Sequence, residues 1–384
     1  MNRRDCLRLL LSTPAFAVPM HLRAQDKRYK RVVLVELAGA NDGLNTLIPV
    51  ADDNYQRLRP TIALPASQRI SINSNFAFHQ SLAPLMPLWE SGHVAWVQGL
   101  GYPAANRSHF KSIALWETGS DGTKQRRSGW LTHDIEHRLG RQPVDPHGIS
   151  LVENLDVFAS SGGRWLSMTS PEQFTALALK NVANATELNS SVALVKNQIA
   201  QLEQSLHGIA VKMNNSSGAG SIGGGELGSQ LEQVARMIRA GLDTPVFRVQ
   251  HSGFDTHEYQ QYRHSRLLEQ LAQALSGFSR QLKADGEWNN TIIMTYSEFG
   301  RRAAENQSAG TDHGTAAPHL VMGGAVRGGL YGTAPSLEGI GSHNDPQFTM
   351  DYRALYAAVL DQWFAIDNHT FEHHHHNALD KLFS

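Results

Sequence analysis

The chain has 384 residues, of which 41% are hydrophobic and 18% are charged, and its formal net charge is −1. This length suits one large α/β domain or two smaller domains, and the near-neutral charge lacks the basic footprint of a nucleic-acid-binding protein. The sequence has 19 histidines and a single cysteine. Any metal site must therefore use imidazole and carboxylate ligands rather than thiolates.

The N-terminus has the pattern of an export signal. Arg3 and Arg4 precede a short apolar segment that is too short to anchor the chain permanently in a bilayer. The stretch RRDCLR resembles a twin-arginine signal, with cleavage after Ala24, although Leu22 fits the −3 position poorly. The alternative is an amphipathic helix of the mature fold. Export by the twin-arginine translocation machinery would place the protein in the periplasm or outside the cell, without Cys6 and without disulfides.

Strand and helix patterns alternate along the rest of the chain. Continuous β-branched and apolar runs predict strands that are covered on both faces, and periodic apolar residues between them predict amphipathic helices. The predicted strands are residues 31–39, 93–98, 149–152, 155–158, 245–250, 291–297 and 318–324. The predicted helices are residues 82–92, 109–117, 186–212, 229–241 and 257–286. This alternation predicts an α/β fold with a doubly wound, mostly parallel sheet.

A Gly/Ser-rich segment, residues 214–228, joins two of the predicted helices and is typical of an exposed loop. The sequence shows no internal repeat and no clear linker. We therefore expect residues 25–384 to form a single domain, with a helical insertion around residues 186–242, after an export signal at residues 1–24.

Polar residues follow the predicted strands, and ligands of open parallel sheets bind beyond the carboxyl ends of the strands. The residues at these positions are Asp42, Ser108, His109, His251, Asp255, His257, Glu298, Arg301, Arg302, Asp312 and His313. Carboxylates and imidazoles suit zinc, manganese or a similar divalent ion. Such an ion lowers the pKa of a bound hydroxyl and holds ester oxygens, so the set predicts metal-assisted hydrolysis of a charged ester with serine as nucleophile.

Five motifs carry a resemblance to a known family. They are LAGANDGLNTLIP, GYPAANRSHF, QHSGFDTH, SEFGRR and GTDHG. Together they resemble the exported domain of unknown function 1501 family, within the alkaline phosphatase-like and sulfatase-like superfamily. The resemblance implies an alkaline phosphatase-like core. It also implies that Asp42 is a metal ligand, that Ser108 is the nucleophile at a helix start that favours anions, and that Asp255 and His257 are a metal-binding pair, closer in sequence than is usual.

The later ligands have two possible assignments under this resemblance. In the first, Glu298 and Phe299 occupy the positions of an Asp-His pair, and His313 is the late histidine. In the second, Asp312 and His313 are the pair, and His319 or His343 is the late ligand. We favour the first, because residues 303–311 cannot form a strand. Phe299 then replaces a histidine ligand, so a second metal would be weak or absent.

Structural explanations compete with these functional ones. Asp42 fits an N-cap or Asx turn, and Ser108 fits a simple helix cap. His109 fits a packed helix residue, and we leave it outside the ligand set. Arg301 and Arg302 fit either an oxyanion clamp or solvated surface. The run of residues 373–376, four histidines, resembles a metal tract but fits a mobile tail better.

These observations favour an exported metal-dependent hydrolase of small anionic phosphate or sulfate esters. Its metal would be zinc, with manganese, iron or calcium as alternatives. The expected ligands are Asp42, Asp255, His257 and His313, with Asp312 in the second assignment. We expect Ser108 to attack the ester, Glu298 to ligate or orient the metal, and Arg301 to hold the oxyanion. The alternative is a non-catalytic exported binding or assembly protein that retains the fold.

Overall fold

A computed structural model of the chain describes residues 29–384 apart from residues 125, 140–144, 155, 161–162, 169–207, 214–219, 342–344 and 368–369. The expected export signal, most of the predicted helix at 186–212 and part of the Gly/Ser-rich loop lie outside the described residues. Within the described ranges, no helix has the length and apolar character needed to cross a membrane.

The described residues contain two sheets and the helices that cover them. The strands are β1 (Arg31–Ala38), β2 (Leu47–Pro49), β3 (Arg69–Ser71), β4 (Phe76–His79), β5 (Val94–Gly101), β6 (Gly148–Ser150), β7 (Trp165–Ser167), β8 (Val246–Ser252), β9 (Thr291–Tyr296), β10 (Ala317–Gly323), β11 (Gly329–Tyr331) and β12 (Met350–Asp351). The α-helices with defined bounds are α1 (Asp53–Leu58), α2 (Met86–Glu90), α3 (His109–Thr118), α4 (Thr132–Leu139), α5 (Gly225–Arg239), α6 (Gln260–Ala284) and α7 (Arg353–Ala358).

The main sheet has the order β11-β5-β10-β9-β1-β8-β6-β7, with β12 beside β5, and β2, β4 and β3 form a separate small sheet. In the described chain, β10 is the one antiparallel strand of the main sheet, and the other pairs are parallel. This topology confirms the predicted mostly parallel sheet. Antiparallel β10 starts at the edge where its neighbours end, so its preceding loop reaches the same edge.

Helices cover both faces of the sheet, because the side chains of a strand alternate between its faces. Val33, Val35 and Leu37 of β1 enter one hydrophobic core, to which α5 and α6 contribute. Val32 and Leu34 enter a second core, to which α3, α4 and α7 contribute. The arrangement is doubly wound, as predicted.

Most predicted strands are confirmed with small shifts at their ends, but the prediction of a strand at 155–158 is wrong. Asp156–Phe158 forms a 3₁₀ turn. The side chain of Asn154 accepts a hydrogen bond from the Asp156 amide at 2.7 Å, and the Asp156 carbonyl accepts one from the Ala159 amide at 3.0 Å. These local bonds favour a turn although Val157 and Phe158 are apolar and buried.

A buried cationic side chain lies between two acidic ones on the face that α3 covers. Arg248 donates to Glu36 at 2.6 Å and to Glu117 at 2.8 Å, and its Nε donates to the Tyr296 hydroxyl at 2.9 Å. Burial raises the pKa of Glu117 to about 8, and the nearby Arg248 charge only partly opposes this shift. One of the two carboxyls therefore holds a proton at neutral pH.

Substitution of Glu117 by Gln tests this buried proton. Between pH 4.5 and 8 the folded protein binds a proton at Glu117 that the unfolded chain has lost, so the unfolding free energy of the wild type should fall as pH rises through this window and level off above it. Glu117→Gln should flatten that slope. Urea unfolding at pH 5, 6, 7 and 8, at equal metal content, measures the difference. Parallel profiles for the two proteins would show that Glu117 is ionised throughout.

Candidate metal centre

The loops at one edge of the main sheet bring together most of the polar residues that were predicted to do so. β1, β8 and β9 run parallel in close register, with Leu37 opposite His251 and Glu36 opposite Tyr296. Their carboxyl ends therefore lie side by side. The loop after β5 leads into α3, and the loop before β10 ends at the same edge. These side chains therefore meet at the sheet edge where the sequence predicted the site.

Four side chains converge on one point at this edge. The Nε2 atom of His313 lies 3.1 Å from His109 Nε2 and 3.0 Å from His257 Nε2. Asp255 Oδ1 lies 3.0 Å from His257 Nε2 and 3.3 Å from His313 Nε2. His109, Asp255 and His313 offer ligand atoms that all lie within 4.8 Å of one another, and His257 adds a fourth donor. We refer to these four residues as the cluster.

The other ring nitrogen of each cluster histidine faces a hydrogen-bond acceptor. His109 Nδ1 lies 2.6 Å from Glu298 Oε1, and His313 Nδ1 lies 3.0 Å from the Arg107 carbonyl. His257 Nδ1 lies 3.5 Å from Asp312 Oδ1. Because carbonyl and carboxylate oxygens accept only, Nδ1 carries the proton, and Nε2 presents a lone pair to the centre of the cluster.

This donor set fits a divalent metal ion. Three lone pairs and a carboxylate oxygen directed at one point repel each other unless a proton or a metal ion lies between them. Burial lowers the pKa of His313, so its imidazole is neutral and cannot supply the missing proton to both neighbours. Tetrahedral zinc, with Zn–N distances of about 2.0–2.1 Å, separates its ligand atoms by about 3.3 Å. The contacts that His313 and His257 make within the cluster, 3.0 to 3.3 Å, are close to that spacing, and His109 Nε2 lies 3.7 Å from Asp255 Oδ2.

Arg301 fixes the carboxylate of the cluster. Its guanidinium donates to Asp255 Oδ1 at 2.6 Å, and also to the carbonyls of Ala40, Thr311, Phe254 and Gly39. Burial would raise the pKa of Asp255, but the Arg301 guanidinium holds it below its usual range. The Arg301 side chain is 0% exposed. The expectation that Arg301 holds a substrate oxyanion is therefore wrong, because its guanidinium is enclosed by the protein.

Glu298 orients His109 through a hydrogen bond at Nδ1, the ring nitrogen that faces away from the cluster. The carboxylate accepts hydrogen bonds from the Gly39 amide at 2.9 Å and the Ser297 hydroxyl at 2.9 Å, in addition to His109. Burial acts to raise the pKa of Glu298, but these hydrogen bonds lower it. In turn, the hydrogen bond to Glu298 raises the pKa of His109. Of the two roles expected for Glu298, orientation fits the structure, and ligation does not.

The structure places Asp42 outside the cluster. Arg59 donates to both of its carboxylate oxygens, at 2.6 and 3.0 Å, Gln260 donates to Oδ2, and the Leu44 amide donates to Oδ1 at 3.2 Å. Asp42, Arg59 and Gln260 are buried, and Asp42 is the N-cap of a 3₁₀ turn. The expectation that Asp42 ligates a metal is corrected, because its oxygens are already occupied. The competing N-cap explanation is confirmed.

Asp312 also lies outside the cluster. Its Oδ1 faces His257 Nδ1 and accepts from Asn306 Nδ2 at 3.2 Å, while Arg302 lies 3.5 Å from Oδ2. The second assignment, with Asp312 as a ligand, therefore does not fit. His251 is buried, and its Nε2 contacts the Leu267 carbonyl at 2.9 Å, away from the cluster.

Ser108 is the N-cap residue of α3 and directly precedes the cluster residue His109. Its side chain is exposed, and within the described residues it makes no capping hydrogen bond. The Ser108 amide donates to Asn106 Oδ1 at 2.8 Å, which orders the turn before the helix. The serine is therefore held beside the cluster with an uncommitted hydroxyl.

Phe299 occupies a wall of the centre, where the resemblance implied a histidine. Its buried ring packs against His109 and His313, with centroid distances of 5.0 and 4.7 Å. His319, the alternative late ligand, is buried against Trp116 at 5.2 Å. Neither His319 ring nitrogen has a hydrogen-bond partner among the described residues, and burial lowers its pKa to about 3. His343 lies outside the described residues.

The histidine run at 373–376 is dispersed among separate partners. His375 Nε2 lies 2.9 Å from Asp380, His374 faces Asp351, and His376 accepts from the Ala378 amide. Within the described chain, His109, Asp255 and His313 form the one set of ligand atoms close enough together to hold a metal ion. The run therefore provides no shared metal site.

Glycines allow the loops of the centre to pack backbone against backbone. A Cβ atom on Gly39, whose φ is +109°, would clash with the Asp255 amide, and one on Gly310 would clash with the backbone of His257. Both contacts lie within the loops that carry cluster residues. Glycine at these positions is required by the close approach, and at Gly39 also by the backbone conformation.

His109 is the cluster residue that the sequence reasoning left out. A histidine in the first turn of a helix is usually explained by packing, and here it also contacts Phe299. The available signal was its position, directly after the predicted helix start in the loop that follows β5. That position placed His109 among the edge residues beside Ser108, and it was left out of the ligand set because packing explains most helix histidines.

Residues 96–374 match the family described as "Protein of unknown function (DUF1501)". The chain belongs to this family. The match spans well over half of the sequence and confirms the resemblance that the motifs carried. No significant match to a curated protein was found.

Solved structures similar to this DUF1501 chain include phosphatases and sulfatases. The lipoteichoic acid synthase LtaP from Listeria monocytogenes is 12% identical, with coverage of 84% of this chain and 75% of that chain and a TM-score of 0.37. The sulfatase PsFucS1 from Pseudoalteromonas sp. is 11% identical, with coverage of 88% and 68% and a TM-score of 0.37. Alkaline phosphatase from the Antarctic bacterium TAB5 is 10% identical, with coverage of 79% and 95% and a TM-score of 0.31. These low values assign no activity to this chain.

Removal of a cluster imidazole should abolish tight metal binding. We expect His313→Ala, and separately His109→Ala, to weaken zinc binding by more than about a hundredfold, because each change removes one of four convergent donors. Competition with a chromophoric chelator measures the dissociation constant of the purified protein. His133→Ala, which changes an exposed histidine of α4, is the matched control. Zinc binding by the two cluster variants that equals the control would rule out the centre.

Proposed function

We propose that this protein is an exported metal-dependent hydrolase of phosphate or sulfate esters. The observation that supports this most directly is the cluster, in which three imidazole Nε2 atoms and one carboxylate oxygen converge. Their exposed fractions range from 22% for His313 to 46% for Asp255. A solvent-accessible side of the centre is what a substrate needs, whereas a structural metal site is usually closed.

Each residue of the centre has a role in this proposal. His109, His257, His313 and Asp255 would hold zinc, or manganese, iron or calcium in its place. A bound divalent ion would lower the pKa of an attacking hydroxyl and neutralise ester oxygens. Ser108 would be the nucleophile: its Oγ bonds to phosphorus or sulfur as the alcohol leaves, and water then releases the anion from the serine.

The local structure around Ser108 supports that role. α3 has ten residues, and the amide groups of its first turn have no partner within the helix. Amides at a helix start favour an anion, so they would bind an ester oxygen next to the serine. The close contact between Phe299 and two cluster rings supports a single metal ion rather than two.

The same contact favours the second candidate, a binding or assembly protein without turnover. Phe299 lies where the resemblance implied a histidine ligand of a second ion, and Arg301 is enclosed by backbone carbonyls. Two common sources of charge stabilisation for an ester anion are thus absent from the described residues at this edge. The measurement of hydrolysis decides between the candidates.

Export is proposed from Arg3 and Arg4 and the short apolar segment that follows them. We expect the wild type, expressed in a bacterium with the twin-arginine machinery, to accumulate in the periplasmic fraction. The double variant Arg3→Lys/Arg4→Lys should remain in the cytoplasm. Immunodetection after fractionation checks this, and export of both proteins to equal extent would contradict it.

Hydrolysis of 4-nitrophenyl phosphate and 4-nitrophenyl sulfate by the zinc-loaded protein tests the activity. We expect turnover of at least one ester, and Ser108→Ala should lower kcat by about a thousandfold or more, because it removes the nucleophile. Zinc content should be unchanged in this variant. Ser74→Ala, at an exposed serine between β3 and β4, is the control. No turnover by wild-type protein that retains zinc would favour the binding or assembly protein.

A further inference from the structure

Exposed aromatic side chains concentrate beside the cluster. Four large hydrophobic side chains are exposed among the described residues: Phe110 at 89%, Tyr262 at 76%, Tyr259 at 75% and Val211 at 46%. Phe110 directly follows His109, and Tyr259 and Tyr262 follow His257 by two and five positions. Three of the four therefore lie within five positions of a cluster residue. Isolated exposed apolar residues are ordinary, but this distribution is not scattered. We refer to Phe110, Tyr259 and Tyr262 as the aromatic surface.

The backbone of Tyr259, which carries one of these rings, has a strained conformation. Tyr259 has φ of 45° and ψ of 43°, the left-handed conformation that side chains with a Cβ rarely adopt. In the described chain, the other non-glycine residues with positive φ are all alanines. Hydrogen bonds from the Tyr259 and Gln260 amides to the carbonyls of Ser308 and Ala309, at 3.0 and 2.9 Å, fix this conformation. A small residue would satisfy the backbone with less strain, so the ring itself needs an explanation.

Tyr259 is the N-cap of α6 and Tyr262 is its third residue, so both rings are carried by the start of one helix. A tyrosine ring offers a rigid apolar face and a hydroxyl at its edge. Lys111 is exposed in the first turn of α3, and Arg263 and Arg266 are exposed in the first two turns of α6, while the exposed carboxylate of Glu258 directly precedes Tyr259. The surroundings of the rings therefore suit an anion that also carries a flat ring.

We propose that the aromatic surface binds the alcohol portion of the ester, and that this portion contains a ring, either a sugar or an aryl group. The inference rests on the proposed ester site, because the cluster is what would bind the phosphate or sulfate end. The Cα atom of Phe110 lies about 3.8 Å from that of its neighbour His109, and Tyr259, two positions after His257, lies at most about 7 Å from it, so both are within one substrate length of the cluster. Stacking on the rings would then select ring-bearing esters over ringless ones.

The test compares binding of matched esters to the zinc-loaded protein by calorimetry. The probes are phenyl, glucose-6 and glycerol-3 esters, each as phosphate and as sulfate, and hydrolysis of each is recorded separately. The variants are Phe110→Ser, Tyr259→Ser and Tyr262→Ser, all at exposed positions where little packing is lost. Val211→Ser, at the fourth exposed apolar residue, is the matched control.

We expect each ring variant to raise the dissociation constant of phenyl or glucose esters about two- to tenfold, with no change for glycerol esters and none in Val211→Ser. Loss confined to phenyl esters identifies an aryl group, and loss confined to glucose esters identifies a sugar. Equal binding of ring-bearing and ringless esters, or no binding of any, overturns the inference. Ring-dependent binding without hydrolysis retains it while refuting the hydrolase, and hydrolysis that no ring variant affects does the reverse.

Discussion

The guanidinium of Arg301 is the group on which the geometry of the centre depends. It is buried and donates to carbonyls of the loop after β1, the loop after β8 and the loop before β10, and to the carboxylate of Asp255. A buried cation without such partners would be strongly destabilising. Because one planar group joins three loops, none of them can shift without leaving charge or carbonyl oxygen unpaired. The position of Asp255 is thereby determined by the interior of the protein.

A second buried network extends this support. Asp42 and Arg59 form an enclosed ion pair, and Gln260 donates to Asp42 while accepting from Thr256 at 3.1 Å and Thr311 at 2.6 Å. Thr256 separates the cluster residues Asp255 and His257, and Thr311 precedes Asp312. The residue that resembled a metal ligand in sequence thus acts one layer further out. Residues that support ligand side chains in this way fix their orientation, and they matter to a metal site nearly as much as the ligands themselves.

Much of the fold and the location of the centre could be predicted from the sequence, since both depend on patterns that a chain displays locally. The buried runs of β1, β8 and β9 identify a parallel sheet, and the ends of those strands identify its functional edge. Asp255, His257 and His313 were placed at that edge from the sequence, and the structure brings their side chains together there. At 155–158, however, the turn preference of Asn154 outweighed an apolar pair.

The sequence could not show which residues point into the cluster and which support it from outside. That difference depends on positions that differ by a few ångströms and on the direction of each side chain. Glu298, Asp312 and Arg301 all lie at the expected edge, but they face the Nδ1 atoms or the carboxylate instead of the centre of the cluster. Arg301 belongs to an arginine pair that suggested solvated surface. Its partners are backbone carbonyls from segments distant in sequence, and no spacing of residues in the sequence indicates such partners. His109 was excluded because a packed histidine at a helix start is commonplace.

The glycines beside the cluster limit how the sequences of its loops can change in evolution. Surface loops usually tolerate insertion and replacement, and enzymes diversify through them. Here Gly39 and Gly310 admit no side chain, because the Asp255 amide and the His257 backbone occupy that space. These loops are constrained like a protein interior. Divergence among relatives should therefore accumulate in the outward-facing positions of α3 and α6, while the inner loops stay nearly invariant.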